Sequence, residues 1–163
     1  MPSKLLTTEQ VLTLLAATPQ RIVALTADLS PAQLHTPPTD DGWSLNDVLA
    51  HLRACADVWG NCIVTIIAGD TPTLRAINPR TWIKQTNYLD LEFAPSLRSF
   101  ITQRADLLAA LEPLSPEGWL RVATVRGAGK VLERTVLFYG QWLAVHERQH
   151  VKQIERIANM MHR

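Results

Sequence analysis

Two histidines four residues apart, His146 and His150, constrain most strongly what this chain folds into. An α-helix places residues i and i+4 on one face, so a helix through this segment directs both imidazoles the same way. The other residues at helical spacing on that face are apolar: Leu132, Val136, Tyr139, Leu143, Ile154, Ile157 and Met161. A buried polar group without a partner costs on the order of 1–3 kcal/mol. A shared metal ion would satisfy both rings at once.

A third histidine, His51, lies in a second predicted helix over residues 45–68. Ser44 marks its start as an N-cap, and Asp47 follows three residues later, where a carboxylate suits the positive end of the helix dipole. The apolar residues of this helix place His51 at the edge of its buried face. Three imidazoles from two helices form a donor set for one divalent cation and leave at least one coordination position for water or a substrate atom.

Aromatic and sulfur side chains near these histidines are candidates for the wall of a substrate pocket. The candidates are Trp43, Cys55, Trp59, Tyr139 and Trp142. A large aromatic side chain at helical spacing is more often part of the core. Cys55 lies one turn after His51, where it is either a packed core thiol, a fourth metal ligand or a reactive group. Cys55 and Cys62 lie roughly 10 Å apart along the predicted helix, too far for a disulfide.

Four long helical segments predict an all-α fold, a four-helix bundle in a single domain over residues 1–163. The first, second and fourth helices are expected at about 8–29, 45–68 and 131–160, and the third begins near residue 82 and is clearest at 94–111. Pro19 removes one backbone donor from the first helix, so a kink or a break is expected at 17–18. A long crossover loop before the last helix is expected at 114–130, where glycine and proline recur, with one strand-like stretch at 120–125.

The composition is that of a compact soluble domain. The chain has 163 residues, of which 47% are hydrophobic, which is enough for one sizeable core. Its 16 basic and 15 acidic side chains give no reason to expect a nucleic acid or an anionic membrane as partner. The first apolar run is too short for a signal peptide, and no later run reaches the roughly 18–20 residues of a membrane span. We therefore expect a cytoplasmic protein that acts on a small molecule.

Several of these residues form a larger pattern. Trp43 and Ser44 open a helix, a histidine follows that serine by seven residues, and the His-x-x-x-His pair of the last helix is followed by Gln153 and Ile154. In order and spacing this pattern resembles the DinB-like superfamily of metal-dependent proteins, over nearly the whole chain. The resemblance implies a four-helix bundle of the DinB-like type, with the three histidines as metal ligands, and a homodimer.

The resemblance also favours one chemistry. Family members with an assigned activity are similar to thiol-dependent transferases or isomerases, which take a low-molecular-weight thiol as co-substrate. A metal held by His51, His146 and His150 can lower the pKa of water to roughly 7, polarise a carbonyl or hold a thiolate, and the resemblance favours the thiolate route. Three imidazoles accept zinc, nickel, cobalt, iron or manganese, and we expect zinc first and nickel second.

Two other functions stay open. One is a non-catalytic metal-binding bundle, in which the metal is structural or serves as a sensor. The other is a hydrolase or peptidase in which Glu147 activates water, because His146-Glu147-x-x-His150 matches the pattern of zinc peptidases. Gln153 and Arg156 stand where the extended peptidase pattern needs glycine and a third histidine. Glu147 is the one candidate catalytic residue, and it equally fits an ion pair on the helix surface.

Overall fold

The computed structural model describes residues 5–162. Their elements follow in this order: α1 (Thr8–Thr26), α2 (Pro31–His35), α3 (Leu45–Ala68), β1 (Thr73–Arg75), α4 (Pro79–Trp82), α5 (Phe93–Leu111), α6 (Pro116–Trp119), β2 (Val122–Arg126), β3 (Leu132–Thr135) and α7 (Val136–Met161). The long helices α1 and α3 each pack against both α5 and α7. The predicted four-helix bundle is confirmed.

Hydroxyl side chains begin three of the long helices. Thr7 caps α1, Ser44 caps α3 and Thr135 caps α7, and each hydroxyl accepts a hydrogen bond from the backbone N–H three residues on. At the first two caps the side chains of Gln10 and Asp47 return a bond to the backbone of the capping residue. These local signals are the reason why the sequence places the starts of α1 and α3 correctly.

Helix α1 passes through Pro19 without a break, so a break at 17–18 was a wrong expectation. Proline lacks the N–H that would bond to the carbonyl of Leu15 in a regular helix. That carbonyl oxygen accepts a hydrogen bond of 2.9 Å from Nη1 of Arg104 on α5 instead. The helix continues because a side chain from a neighbouring helix supplies the missing donor. It ends at Thr26, one turn before the expected residue 29.

A small three-stranded sheet joins the bundle, and the sequence prediction lacked it. Strand β2 pairs in parallel with β1 and antiparallel with β3. The expected crossover at 114–130 therefore contains α6 and β2, and the strand-like stretch lies at Val122–Arg126. The last helix begins at Val136 and not at residue 131, because residues 132–135 pair with β2.

A polar layer divides the apolar interior in two. On α5 the buried Arg104 lies between Phe100 of one apolar cluster and Leu107 of the other. On α7 the segment 146–150 lies between Leu143 and Ile154 in the same way. The candidate site therefore occupies the middle of the bundle, where packing on both sides fixes its side chains. None of the helices within residues 5–162 has the length and apolar character needed to span a membrane.

Candidate metal centre

The three histidines come together between α3 and α7. Nε2 of His146 lies 3.1 Å from Nε2 of His51 and 3.1 Å from Nε2 of His150. The ring centroids of His51 and His150 are 4.8 Å apart. The cap at Ser44 sets the start of α3 and so the position of His51 along it, while the four-residue spacing on α7 stacks the other two rings one turn apart. Two helices thus bring three imidazoles together, with His146 between the other two.

The geometry of these donors fits a divalent metal. Zinc–nitrogen bonds of about 2.0–2.1 Å at tetrahedral angles place two ligand nitrogens about 3.3–3.4 Å apart. The 3.1 Å separations around His146 are close to that value. Nδ1 of His150 lies 2.7 Å from Oε1 of Gln153. An N–H that donates to this oxygen leaves the lone pair of His150 Nε2 directed at the other rings, as in many metal sites.

His51 and His146 are neutral at pH 7, which is the form that binds a metal. Burial, together with the nearby His150 ring, lowers the pKa of His51 from 6.5 to about 4. Burial, with His150 and then His51 as further causes, lowers the pKa of His146 from 6.5 to about 4. A neutral imidazole keeps one nitrogen lone pair free for coordination. Nδ1 of His146 is buried and has no hydrogen-bond partner among the described residues.

Three of the five pocket candidates touch the histidine rings. Trp43 meets His51 edge-on with centroids 5.3 Å apart, and Trp59 meets His146 edge-on at 5.1 Å. Sγ of Cys55 lies 3.6 Å from Nε2 of His51 and 3.9 Å from Nε2 of His146. Burial raises the pKa of the Cys55 thiol to about 12, so this thiol is protonated in the metal-free protein.

The other two pocket candidates lie further away. Tyr139 is buried in an apolar cluster beside Cys62, and burial raises the pKa of both groups. Trp142 is 52% exposed and packs edge-on against Trp59, with ring centroids 5.8 Å apart. Tyr139 is thus a core residue, and Trp142 reaches the site through Trp59.

A cavity of about 440 Å³ opens beside His51. Its lining residues are Trp43, Asp47, His51, Arg80, Ile83 and Leu89. Arg80, on α4, is exposed, and its guanidinium forms no ion pair within residues 5–162. The carboxylate of Asp47 accepts a hydrogen bond from the backbone of Ser44 and so belongs to the helix cap. The cavity therefore combines aromatic and aliphatic walls with one unpaired positive charge. Sequence reasoning did not single out Arg80.

Asp57 holds the segment that carries Arg80 against α3. One oxygen of its carboxylate accepts hydrogen bonds from Trp82 Nε1, at 3.0 Å, and Tyr88 Oη, at 2.6 Å. The other oxygen accepts from Nε2 of Gln103 at 2.5 Å. Burial, and then the bond to this carboxylate, raises the pKa of Tyr88 to about 12. A single aspartate on a helix carries no motif, and its partners lie 25–46 residues away, so sequence reasoning missed it.

Substitution of Asp57 tests this anchoring. We expect Asp57→Ala to lower the free energy of unfolding by about 2–3 kcal/mol, because three donors lose their acceptor at roughly 0.5–1.5 kcal/mol each. Urea denaturation at pH 7 measures the change. Asp106→Ala on α5 is the matched control, because Asp106 is exposed, and its effect should stay within about 0.5 kcal/mol. Equal effects of the two substitutions would contradict an anchoring role for Asp57.

A buried ion pair lies next to the histidines. Glu147 is fully buried, and Arg104 is 2% exposed. Nη1 of Arg104 lies 2.7 Å from Oε1 of Glu147, and Nη2 of the same guanidinium donates to Oε2. Both carboxylate oxygens are engaged in this bidentate pair, so Glu147 does not form an ion pair on the helix surface. As a base it would first have to leave Arg104.

Comparisons with known proteins agree with this architecture. The model of the DinB superfamily matches residues 14–154. Among solved structures, YfiT from Bacillus subtilis, described as a probable metal-dependent hydrolase with an unusual four-helix bundle topology, has the same fold. The TM-score is 0.73 at 20% sequence identity, over 99% of this chain and 93% of YfiT. The comparison with curated proteins gave no match. Because the family model matches most of its residues, this chain belongs to the DinB superfamily.

Proposed function

We propose that this protein is a metal-dependent enzyme that catalyses a thiol-dependent transfer or isomerisation of a small molecule. His51, His146 and His150 would hold one divalent transition metal, with zinc as the first choice and nickel as the second. The observation that carries the proposal is the approach of three Nε2 atoms, at 3.1 Å around His146, beside an open cavity. A metal site that only stabilises the fold would need no such cavity.

The cavity beside His51 supports a substrate class. Trp43, Ile83 and Leu89 give it apolar walls, and Arg80 contributes a positive charge without an ion-pair partner in residues 5–162. Such a lining suits a small molecule with an apolar body and an anionic group, since a guanidinium binds a carboxylate with two parallel hydrogen bonds. Arg80 would orient this group and leave the other end of the molecule near His51.

The state of Glu147 favours a thiol over water as the nucleophile. Activation of water in the zinc-peptidase manner needs a free carboxylate, and Arg104 holds both oxygens of this one. A thiol needs no carboxylate base, because coordination to a metal deprotonates it outright. The chain's own side chains would then have two tasks: the histidines would hold the donor geometry, and the cavity walls would position the substrate beside His51.

A metal-dependent hydrolase is the second candidate, and the description of YfiT favours it. The experiment that separates the candidates uses zinc-loaded protein with glutathione or cysteine and a chromogenic aryl halide. In this reaction the thiol sulfur forms a bond to the aryl carbon, halide leaves with the bonding electrons, and the thiol proton passes to the buffer. We expect turnover that needs both zinc and the thiol and that His150→Ala abolishes. His162→Ala, an exposed histidine at the end of the chain, should keep the activity.

Two other results of these assays would each favour a different function. Zinc-dependent cleavage of aryl esters without any thiol would favour the hydrolase. Tight zinc binding without turnover in either assay would favour a structural or sensor site. In both cases the thiol-dependent proposal is overturned, while the metal site itself is measured separately.

A further inference from the structure

We infer that Cys55 is a fourth protein ligand of the metal, so that the site combines three imidazoles with one sulfur donor. This inference rests on the metal site of the proposed function and adds a ligand to it. It concerns a buried side chain, 1% exposed, that apolar packing alone would also explain. Its position among the ring nitrogens is what indicates ligation.

The separations around Sγ are those of a metal ligand. Sγ of Cys55 lies 3.6 Å from Nε2 of His51 and 3.9 Å from Nε2 of His146. A metal that binds nitrogen at about 2.0–2.1 Å and sulfur at about 2.3 Å, at a tetrahedral angle, separates those two ligand atoms by about 3.5–3.6 Å. The ligand atoms of the three residues all lie within 4.8 Å of one another. Cys55, His51 and His146 therefore need only a small shift of their side chains to bind a common metal.

The position of Cys55 along α3 explains why its thiol lies there. Cys55 follows His51 by one helical turn, so both side chains lie on the same face of α3 and reach the same part of α7. His146 is the common neighbour: its Nε2 contacts the other two imidazoles and the sulfur. The second cysteine, Cys62, lies two turns further on and contacts Tyr139 instead. Cys62 is therefore a natural control for Cys55, because it lies on the same helix but outside the site.

A sulfur ligand has consequences for the metal. Thiolate is a soft donor, which favours zinc and other late transition metals over manganese and magnesium. Because a thiolate is negatively charged, it also lowers the net positive charge of the metal together with its ligands. Four protein donors fill a tetrahedral shell, so a substrate would bind by expansion to five-coordination, which some catalytic zinc sites reach in the transition state. Cys55 therefore narrows the range of metals without excluding a substrate.

Cobalt(II) reports this ligand directly. We expect titration of the metal-free protein with cobalt to give visible d–d bands together with a near-ultraviolet band from sulfur-to-cobalt charge transfer. Cys55→Ser should lose the charge-transfer band, keep d–d bands from the three histidines, and bind zinc about 10-fold or more weakly. Cys62→Ser should match the parent in all three measurements. Cys55→Ala is the second variant, and circular dichroism shows that each variant is folded.

The outcomes separate the ligand from the site. Cobalt d–d bands without a charge-transfer band in the parent, or a charge-transfer band that persists in Cys55→Ser and Cys55→Ala, would overturn the inference and leave the three-histidine site intact. If only Cys62→Ser loses the charge-transfer band, the sulfur ligand is Cys62, and the inference is overturned as well. A parent that shows no cobalt bands at all would overturn the inference and the proposed metal site together.

Discussion

A His146→Ala variant should purify without the metal that the parent protein retains. Nε2 of His146 lies 3.1 Å from the ligand nitrogens of both His51 and His150, so its removal leaves two imidazoles that no longer share a neighbour. Loss of an outer partner of a metal ligand already costs roughly 10–100-fold in affinity, and loss of the ligand itself should cost more. Elemental analysis by mass spectrometry, on untagged protein purified without added metal, measures the difference.

We expect about one equivalent of a transition metal in the parent and almost none in His146→Ala, as for a single site with several protein ligands. His162→Ala is the control, because this residue is exposed at the end of α7 and should leave the metal content unchanged. If His146→Ala retains the full metal content, His146 is not a ligand of the metal. If the folded parent protein takes up no zinc, nickel or manganese, the proposal of a metal-dependent function is wrong.

The features that the sequence predicts well are those that local signals encode. The four-residue spacing of His146 and His150 places both rings on one helix face, and the capping box at Ser44 sets the start of the helix that carries His51. Periodicity then indicates which faces are buried. These signals predict the four-helix bundle and the face of each helix on which the histidines lie.

The features that the sequence prediction missed depend on contacts between distant residues. Thr73 of β1 pairs with Thr124 of β2, and strands of three to five residues carry little periodic signal of their own. The continuity of α1 through Pro19 depends on a donor 89 residues from Leu15. The thiol co-substrate, the homodimer and the cytoplasmic location stay predictions, since helix periodicity encodes none of them.

The largest effect on stability is expected from Arg104→Met. Arg104 connects three helices, because its guanidinium on α5 binds the carboxylate of Glu147 on α7 and the backbone carbonyl of Leu15 on α1. A buried carboxylate that loses its partner typically costs about 3–5 kcal/mol, which is a large fraction of the roughly 5–15 kcal/mol that stabilise an ordinary domain. We expect a loss of about 3–5 kcal/mol in urea or guanidinium unfolding at pH 7. Arg98→Met on the same helix is the control, because Arg98 is exposed.

The double variant Arg104→Met with Glu147→Met separates the ion pair from the rest of the loss. Replacing both charges with apolar side chains removes the unpaired carboxylate, so it should recover much of the stability that Arg104→Met loses. If Arg104→Met costs no more than Arg98→Met, the ion pair contributes nothing to stability. If the double variant is less stable than the single one, the carboxylate of Glu147 has partners other than Arg104.

The bond from Arg104 to Leu15 can be isolated through Pro19. In Pro19→Ala the backbone N–H returns and can bond to the Leu15 carbonyl within α1. With Arg104 present that carbonyl already has a donor, so the gain in stability should be small. In the Arg104→Met background the carbonyl is free, and Pro19→Ala should stabilise by about 1 kcal/mol more than it does in the parent. The comparison of the two backgrounds cancels the effect of proline on the unfolded chain, since that effect is common to both. Identical gains in the two backgrounds would show that Arg104 is not what allows a proline inside this helix.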